Sequence, residues 1–235
     1  MIIASNLKTN LTRSQTTSYM MDVENFLEKN TLSQEILVFP AQSSLSAHSG
    51  QVTQGAQNAY ATTNGAFTGE IGTEQLEEFG IKTILIGHSE RRHILGESQE
   101  SLVTKFNFYK NLGFKIVYCV GEPLDVREQT DEVMMKYLDL QYEGIDTSYE
   151  NLIIAYEPVW AIGTGLTPSL EDISKIHLKL KEKSTAPLLY GGSVKVDTAK
   201  DILACEGVDG VLVGSGALAV ENFCKMITFA EEAGK

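Results

Sequence analysis

The run Asn151-Leu-Ile-Ile-Ala-Tyr-Glu157-Pro-Val-Trp-Ala-Ile-Gly-Thr-Gly165 joins a strand, a lone carboxylate and an apolar loop. Asn151 to Tyr156 is apolar on consecutive residues, as in a strand covered on both faces. Glu157 stands at its C-terminal end. Pro158 fixes its own φ and stops further ladder pairing. Val159, Trp160, Ala161 and Ile162 are bulky and apolar where a polar loop is expected. Gly163 and Gly165 then supply backbone freedom. An apolar loop hinged at both ends reads as a lid, here Pro158 to Thr164. The plainer alternative is a loop packed on the core beside a solvated Glu157.

Similar apolar runs recur along the chain. They are Ile2–Ser5, Ile36–Phe39, Val52–Ala56, Thr83–Ile86, Lys115–Cys119, Leu152–Tyr156, Pro187–Tyr190 and Gly210–Val213. Most are separated by helical segments. Thr73–Phe79 ends at Gly80 and Ser98–Leu112 at Gly113, both suited to close a helix. Ser169 with Asp172 forms a capping-box-like start. Asp197–Cys205 stops near Gly207, and Ala217–Ala233 reads as a long final helix. No linker or shift of composition interrupts the pattern. Eight alternations predict one (β/α)8 barrel, a TIM barrel in a single α/β domain over residues 1–235, with an open doubly wound sheet as runner-up.

Composition narrows the function. The chain is 43% hydrophobic and 21% charged, ordinary for a protein with a substantial core. A net charge of −12 argues against nucleic acid and anionic membranes as partners. The apolar runs are too short to cross a bilayer. The start, Met1-Ile-Ile-Ala-Ser-Asn, lacks the basic region of a secretory signal. Cys119, Cys205 and Cys224 are odd in number and widely spaced, which points to reduced thiols in the cytoplasm.

A barrel carries its functional groups in the loops after its strands. Polar and glycine-rich residues fall there: Asn6 and Lys8 after the first strand, Gln57 and Asn58 after the third, His88 to Arg92 after the fourth. Gly121 and Glu122 follow the fifth, and Glu157 the sixth. Tyr190-Gly-Gly-Ser-Val194 and Val213-Gly-Ser-Gly-Ala217 follow the last two. One such loop alone reads better as a tight turn; two side by side point to a phosphate held by backbone N–H groups. His88 at a strand end suits an acid or electrophile. His93 lies near it without metal-ligand spacing or accompanying carboxylates, so no metal is expected. His48, His177 and Cys119 read as surface or packing residues.

The chain resembles the triosephosphate isomerase family along essentially its whole length. The resemblance is carried by Asn6-Leu-Lys8, Gly55-Ala-Gln-Asn58, Gly65-Ala-Phe-Thr-Gly-Glu70, Gly87-His-Ser-Glu-Arg-Arg92, Cys119-Val-Gly-Glu122, Ala155 to Gly165, Tyr190 to Val194 and Gly210 to Gly214. It implies the interconversion of dihydroxyacetone phosphate and D-glyceraldehyde 3-phosphate, as in glycolysis and gluconeogenesis, without a cofactor. It implies that Glu157 is the base and His88 the electrophile. Lys8 becomes the electrostatic lysine, and Asn6 a contact to substrate oxygens. Gly163, Ser193, Gly214 and Ser215 fall where the family grips phosphate. Thr68 falls near the tip of the loop that enters the partner subunit of a homodimer, and Glu90 matches a rim carboxylate. Leu7 replaces the family's usual tryptophan, and Ser215 the second of two glycines. Another phosphate-binding barrel enzyme lacks the set Lys8, His88 and Glu157 with an apolar lid. A non-catalytic scaffold has no use for it.

Overall fold

The computed structural model describes residues 1–162 and 166–234. The apolar runs become β1 (Ile2–Asn6), β2 (Glu35–Phe39), β3 (Val52–Gln54), β4 (Thr83–Ile86), β5 (Lys115–Val120), β6 (Leu152–Tyr156), β7 (Leu188–Tyr190) and β8 (Gly210–Val213). They lie in one parallel eight-stranded sheet of order β3-β2-β1-β8-β7-β6-β5-β4. A bridge from Ala56 to Ile84 closes the two edges. Ala56 donates to the Thr83 carbonyl and accepts from the Leu85 N–H, both at 2.9 Å. The sheet is therefore a barrel, as expected. β3 ends two residues early because Ala56 serves only this seam. β7 starts at Leu188, since Pro187 has no N–H to give a ladder.

Helices cover the outside: α1 (Arg13–Lys29), α2 (Thr73–Glu78), α3 (Ser89–His93), α4 (Gln99–Asn111), α5 (Leu124–Arg127), α6 (Asp131–Leu140), α7 (Leu170–Lys181), α8 (Val196–Leu203) and α9 (Val220–Ala233). Thr12, Ser98, Thr130 and Ser169 each accept a backbone N–H of the first turn. Such a cap contributes about 1 kcal/mol. The expected box at Ser169 is only half made. Asp172 turns its carboxylate to the Ser169 hydroxyl at 2.8 Å and to Arg127 at 3.0 Å, so it does not reach back to the cap N–H. The final helix starts at Val220, later than expected, because Ser215–Ala217 form a separate tight turn.

Strand parity builds two cores. Ile2, Ala4, Leu37, Phe39, Leu85, Val117, Cys119, Ile153, Ala155, Leu189 and Leu212 fill the barrel. Their neighbours, such as Ile3, Val38, Ile84, Ile116 and Ile154, face the helices. Fully burying one such side chain stabilises by roughly 1.5–3 kcal/mol. Side chains alternate along a strand, so Ile153 and Ala155 are followed inward by Glu157. Ile2 and Ala4 are followed inward by Asn6. The interior narrows to small residues (Ala4, Cys119, Ala155) directly below the rim.

Behind the rim, α7 presents His177 to the sheet. Its ring lies between Tyr156 (centroids 5.8 Å apart) and Tyr190 (6.1 Å). Nδ1 donates to the Gly207 carbonyl at 3.1 Å, since that oxygen can only accept. Burial pushes this imidazole down to about 4, against smaller opposing pulls from the Gly207 carbonyl and Asp209. An unfolded imidazole binds its proton near 6.5. Between about pH 6.5 and 4 the unfolded chain holds a proton that the folded chain refuses, so stability falls as pH drops through this window. The contribution reaches on the order of 2–3 kcal/mol at the acid end. Urea melts at pH 7 and pH 4.5 should show a smaller loss for His177→Gln than for the parent chain; equal losses would remove His177 as a cause.

Candidate active site

Glu157 is 1% exposed at the end of β6. Its Oε2 accepts the Ser89 N–H at 2.8 Å, and its Oε1 lies 3.3 Å from His88 Nε2. Two glycines make the room. A Cβ on Gly121 would stand 1.8 Å from the Glu157 carbonyl oxygen, and one on Gly191 2.9 Å from Glu157 Cγ. Gly121 is further held by Gln141, whose amide accepts the Gly121 N–H at 3.0 Å and donates to its carbonyl at 2.8 Å.

His88 caps α3. Its Nδ1 accepts the Glu90 N–H at 3.2 Å. A ring nitrogen that accepts carries no proton, so this imidazole is neutral with its hydrogen on Nε2. That nitrogen lies 3.3 Å from Glu157 Oε1. The Glu90 carboxylate, 3.6 Å from the same Nδ1, has no hydrogen there to share. Arg92 fastens the base of this loop by donating to the carbonyls of Gly87 (2.8 Å) and Cys119 (3.0 Å).

Lys8 sits at φ +52°, a left-handed conformation that costs a non-glycine residue roughly 1 kcal/mol. Asn6 Oδ1 accepts its N–H at 3.0 Å, and Gln57 donates to its carbonyl at 2.9 Å. These bonds hold the strained turn and aim the ammonium inward. Nζ meets Glu90 Oε1 at 2.5 Å. Leu7 is fully buried in the outer core.

A cavity of about 460 Å³ opens over these groups, within the range of small-molecule sites. Asn6, Lys8, His88 and Glu157 line one side; Ser193, Gly214 and Ser215 line the other. Of the sequence-predicted site residues, Asn6, Lys8, His88, Glu157, Ser193, Gly214 and Ser215 thus meet around one cavity with Ile162; Thr68 and Pro158 to Ala161 do not line it, and Gly163 and Thr164 lie outside the described residues. Ser215 is exposed and lines the cavity mouth. A Cβ on Gly214 would stand 3.3 Å from Lys8 Cε and crowd the ammonium.

Pro158 to Ile162 fold over the β6 end, with Val159–Ala161 in one 3-10 turn. Val159 N–H donates to the Glu122 carbonyl at 3.0 Å. Trp160 Nε1 and the Tyr156 hydroxyl both donate to Glu122 Oε1 at 3.0 Å. Burial raises the Glu122 carboxyl above its usual range, and these donors with the charge of Arg127 pull it partly back. Glu122 was legible as a rim residue from its place after β5, but not as the group that seats Trp160. Ser89 and Gln141 carried no signal, because a backbone donor and a distant amide leave no local pattern.

The remaining candidates fall aside. Burial, then the charge of Glu157, raises the Cys119 thiol well above its usual value, which suits a packing residue. His48 bonds Glu24 at 2.9 Å, and His93 is exposed. Among the described residues no group of three or more His, Cys, Asp or Glu is placed to hold a metal, and no helix is long and apolar enough to cross a membrane.

Fold and site define a (β/α)8 barrel whose C-terminal rim gathers a carboxylate, an imidazole and an ammonium in a cavity of small-molecule size. A family model described as triosephosphate isomerase matches residues 1–230. A triosephosphate isomerase of Sulfurimonas denitrificans is 69% identical over 235 residues, covering 100% of this chain and 98% of that protein. One of Sulfurovum sp. is 53% identical over 227 residues, covering 97% and 99%. One of Helicobacter pylori (strain Shi470) is 46% identical over 231 residues, covering 97% and 98%. The chain belongs to the triosephosphate isomerase family.

Proposed function

We propose that this protein interconverts dihydroxyacetone phosphate and D-glyceraldehyde 3-phosphate through an enediolate, a step of glycolysis and gluconeogenesis. Glu157 takes the proton from the carbon beside the carbonyl and returns it to the neighbouring carbon. The Nε2–H of His88 donates to the carbonyl oxygen as negative charge builds there. A neutral imidazole suits this task, because its weak acidity is close to that of the enediol. Lys8 adds fixed positive charge, and Asn6 contacts the substrate oxygens. Each well-placed donor in a dry site contributes ~3 kcal/mol to the transition state. Backbone N–H groups at Ser193, Gly214 and Ser215 receive the phosphate, with Gly163 expected to join them.

The observation that carries this reading is the buried carboxylate of Glu157, 3.3 Å from an imidazole whose other nitrogen is already committed. Its Oε2 is engaged by the Ser89 N–H at 2.8 Å. The working carboxylate leaves that donor as Val159, Trp160 and Ile162 cover the site. Their apolar surface then desolvates Glu157 and strengthens it. Glu157→Asp draws the carboxylate back by ~1 Å and should lower turnover on the order of 10²-fold with the fold intact. A coupled dehydrogenase assay measures this, and near-parental turnover would remove Glu157 from the role.

The enzyme acts in the cytoplasm, where its three unpaired cysteines stay reduced. It works as a homodimer. Phe67 and Thr68 are exposed on the loop between Gly65 and Glu70, and Ile94 and Leu95 are 76% and 66% exposed beside the rim. A hollow of about 400 Å³ lined by Asn10, Gln57, Glu90 and Leu95 borders Lys8 and His88, and the partner's Thr68 loop fills it. Thr68→Glu places a charge in that hollow and should give monomers of low activity. Light scattering that finds a stable, fully active dimer would exclude this loop from the interface.

A further inference from the structure

Trp160 is held from two sides. Below it, Glu122 accepts the indole N–H at 3.0 Å. Above it, the guanidinium carbon of Arg127 stands 5.7 Å from the ring centroid, within cation–π range. Arg127 is the last residue of α5. It also donates through Nη2 to Asp172 Oδ1 at 3.0 Å, in the first turn of α7, and through Nη1 to the Met134 sulfur at 3.3 Å. One side chain therefore spans from the loop after β5 to the helix that follows the lid, across the face of the indole. Its stem and head are mostly covered, with the side chain 20% exposed. Its charge also favours the ionised form of the buried Glu122, the form that accepts from Trp160.

A guanidinium is planar and stacks on an aromatic face, which an ammonium cannot do as well. We infer that Arg127 is a positioning residue for the lid: it clamps Trp160 onto Glu122 and so sets the fraction of molecules in which the lid lies docked off the cavity. This rests on the reading of Pro158 to Ile162 as a lid. Removing the clamp frees the indole at the start of the closing movement. The covering conformation then becomes more populated by roughly two- to five-fold, the range for a partly exposed cation over an indole. A ligand that needs that conformation binds tighter by the same factor, since a population that was withheld from it is released.

Trp160 is the single tryptophan of the chain, so its emission reports on the lid alone. The test uses the full chain as parent, Arg127→Met, Arg127→Lys and Asp172→Asn, with circular dichroism to confirm folding. Glycerol 3-phosphate serves as a non-reacting probe. Arg127→Met should move the unliganded emission toward the liganded spectrum of the parent and bind glycerol 3-phosphate two- to five-fold tighter. Arg127→Lys should fall between parent and Arg127→Met, and Asp172→Asn should move in the same direction by less. If Arg127→Met fails to fold, Arg127→Lys and Asp172→Asn decide by the same readouts. A lower urea midpoint with unchanged emission and affinity would make Arg127 a merely structural contact and overturn the inference. A parent emission that ignores glycerol 3-phosphate would overturn the lid reading itself, and the inference with it.

Discussion

A carboxylate that is almost wholly out of water needs compensation, because burying an unpaired charge is among the costliest things a fold can do. Glu157 accepts the backbone N–H of Ser89, and the His88 imidazole stands beside it with Nε2 3.3 Å from Oε1. Both come from the loop after β4, so the β4 and β6 ends are bound together through this single group. The barrel is shaped to admit it. The layer beneath is small, and Gly121 and Gly191 leave space that any side chain would close. His88 in turn is neutral because its Nδ1 is occupied by the cap of α3. Charge state, tautomer and position thus follow from one arrangement.

Two buried carboxylates share the rim, and their surroundings divide the labour. Glu157 faces the cavity and holds one backbone donor that it can release. Glu122 faces away, receives Trp160 and Tyr156, and is locked. In the proposed reading of Pro158 to Ile162 as a lid, Glu122 gives it a resting place. The same indole that rests on Glu122 is the apolar bulk available to dry Glu157. Arg127 stands where a modest interaction can tilt the balance between these uses.

Most of this was legible in the sequence, for definite reasons. The eight strands showed because a sheet covered on both faces demands consecutive apolar residues. Lys8, His88 and Glu157 showed because strand ends expose polar groups on one rim. What escaped was contact between distant segments. Ser89 acts through its backbone, and Gln141 reaches Gly121 from the far end of α6. Arg127 lies in a charged stretch with no periodic mark. Ser169 with Asp172 was readable as a cap, yet its second half was lost to Arg127, a neighbour that sequence order conceals.

The central claim is that Glu157 carries a proton between two carbons of the substrate. Isomerisation run in D2O, followed by proton magnetic resonance of the product, addresses it directly. A carboxylate that holds the abstracted proton exchanges it with solvent when the site opens. The account predicts product carrying one deuterium on the carbon beside the carbonyl, with neither turnover nor label in Glu157→Gln at comparable enzyme. Product formed by Glu157→Gln at the parent rate, labelled or not, would contradict it.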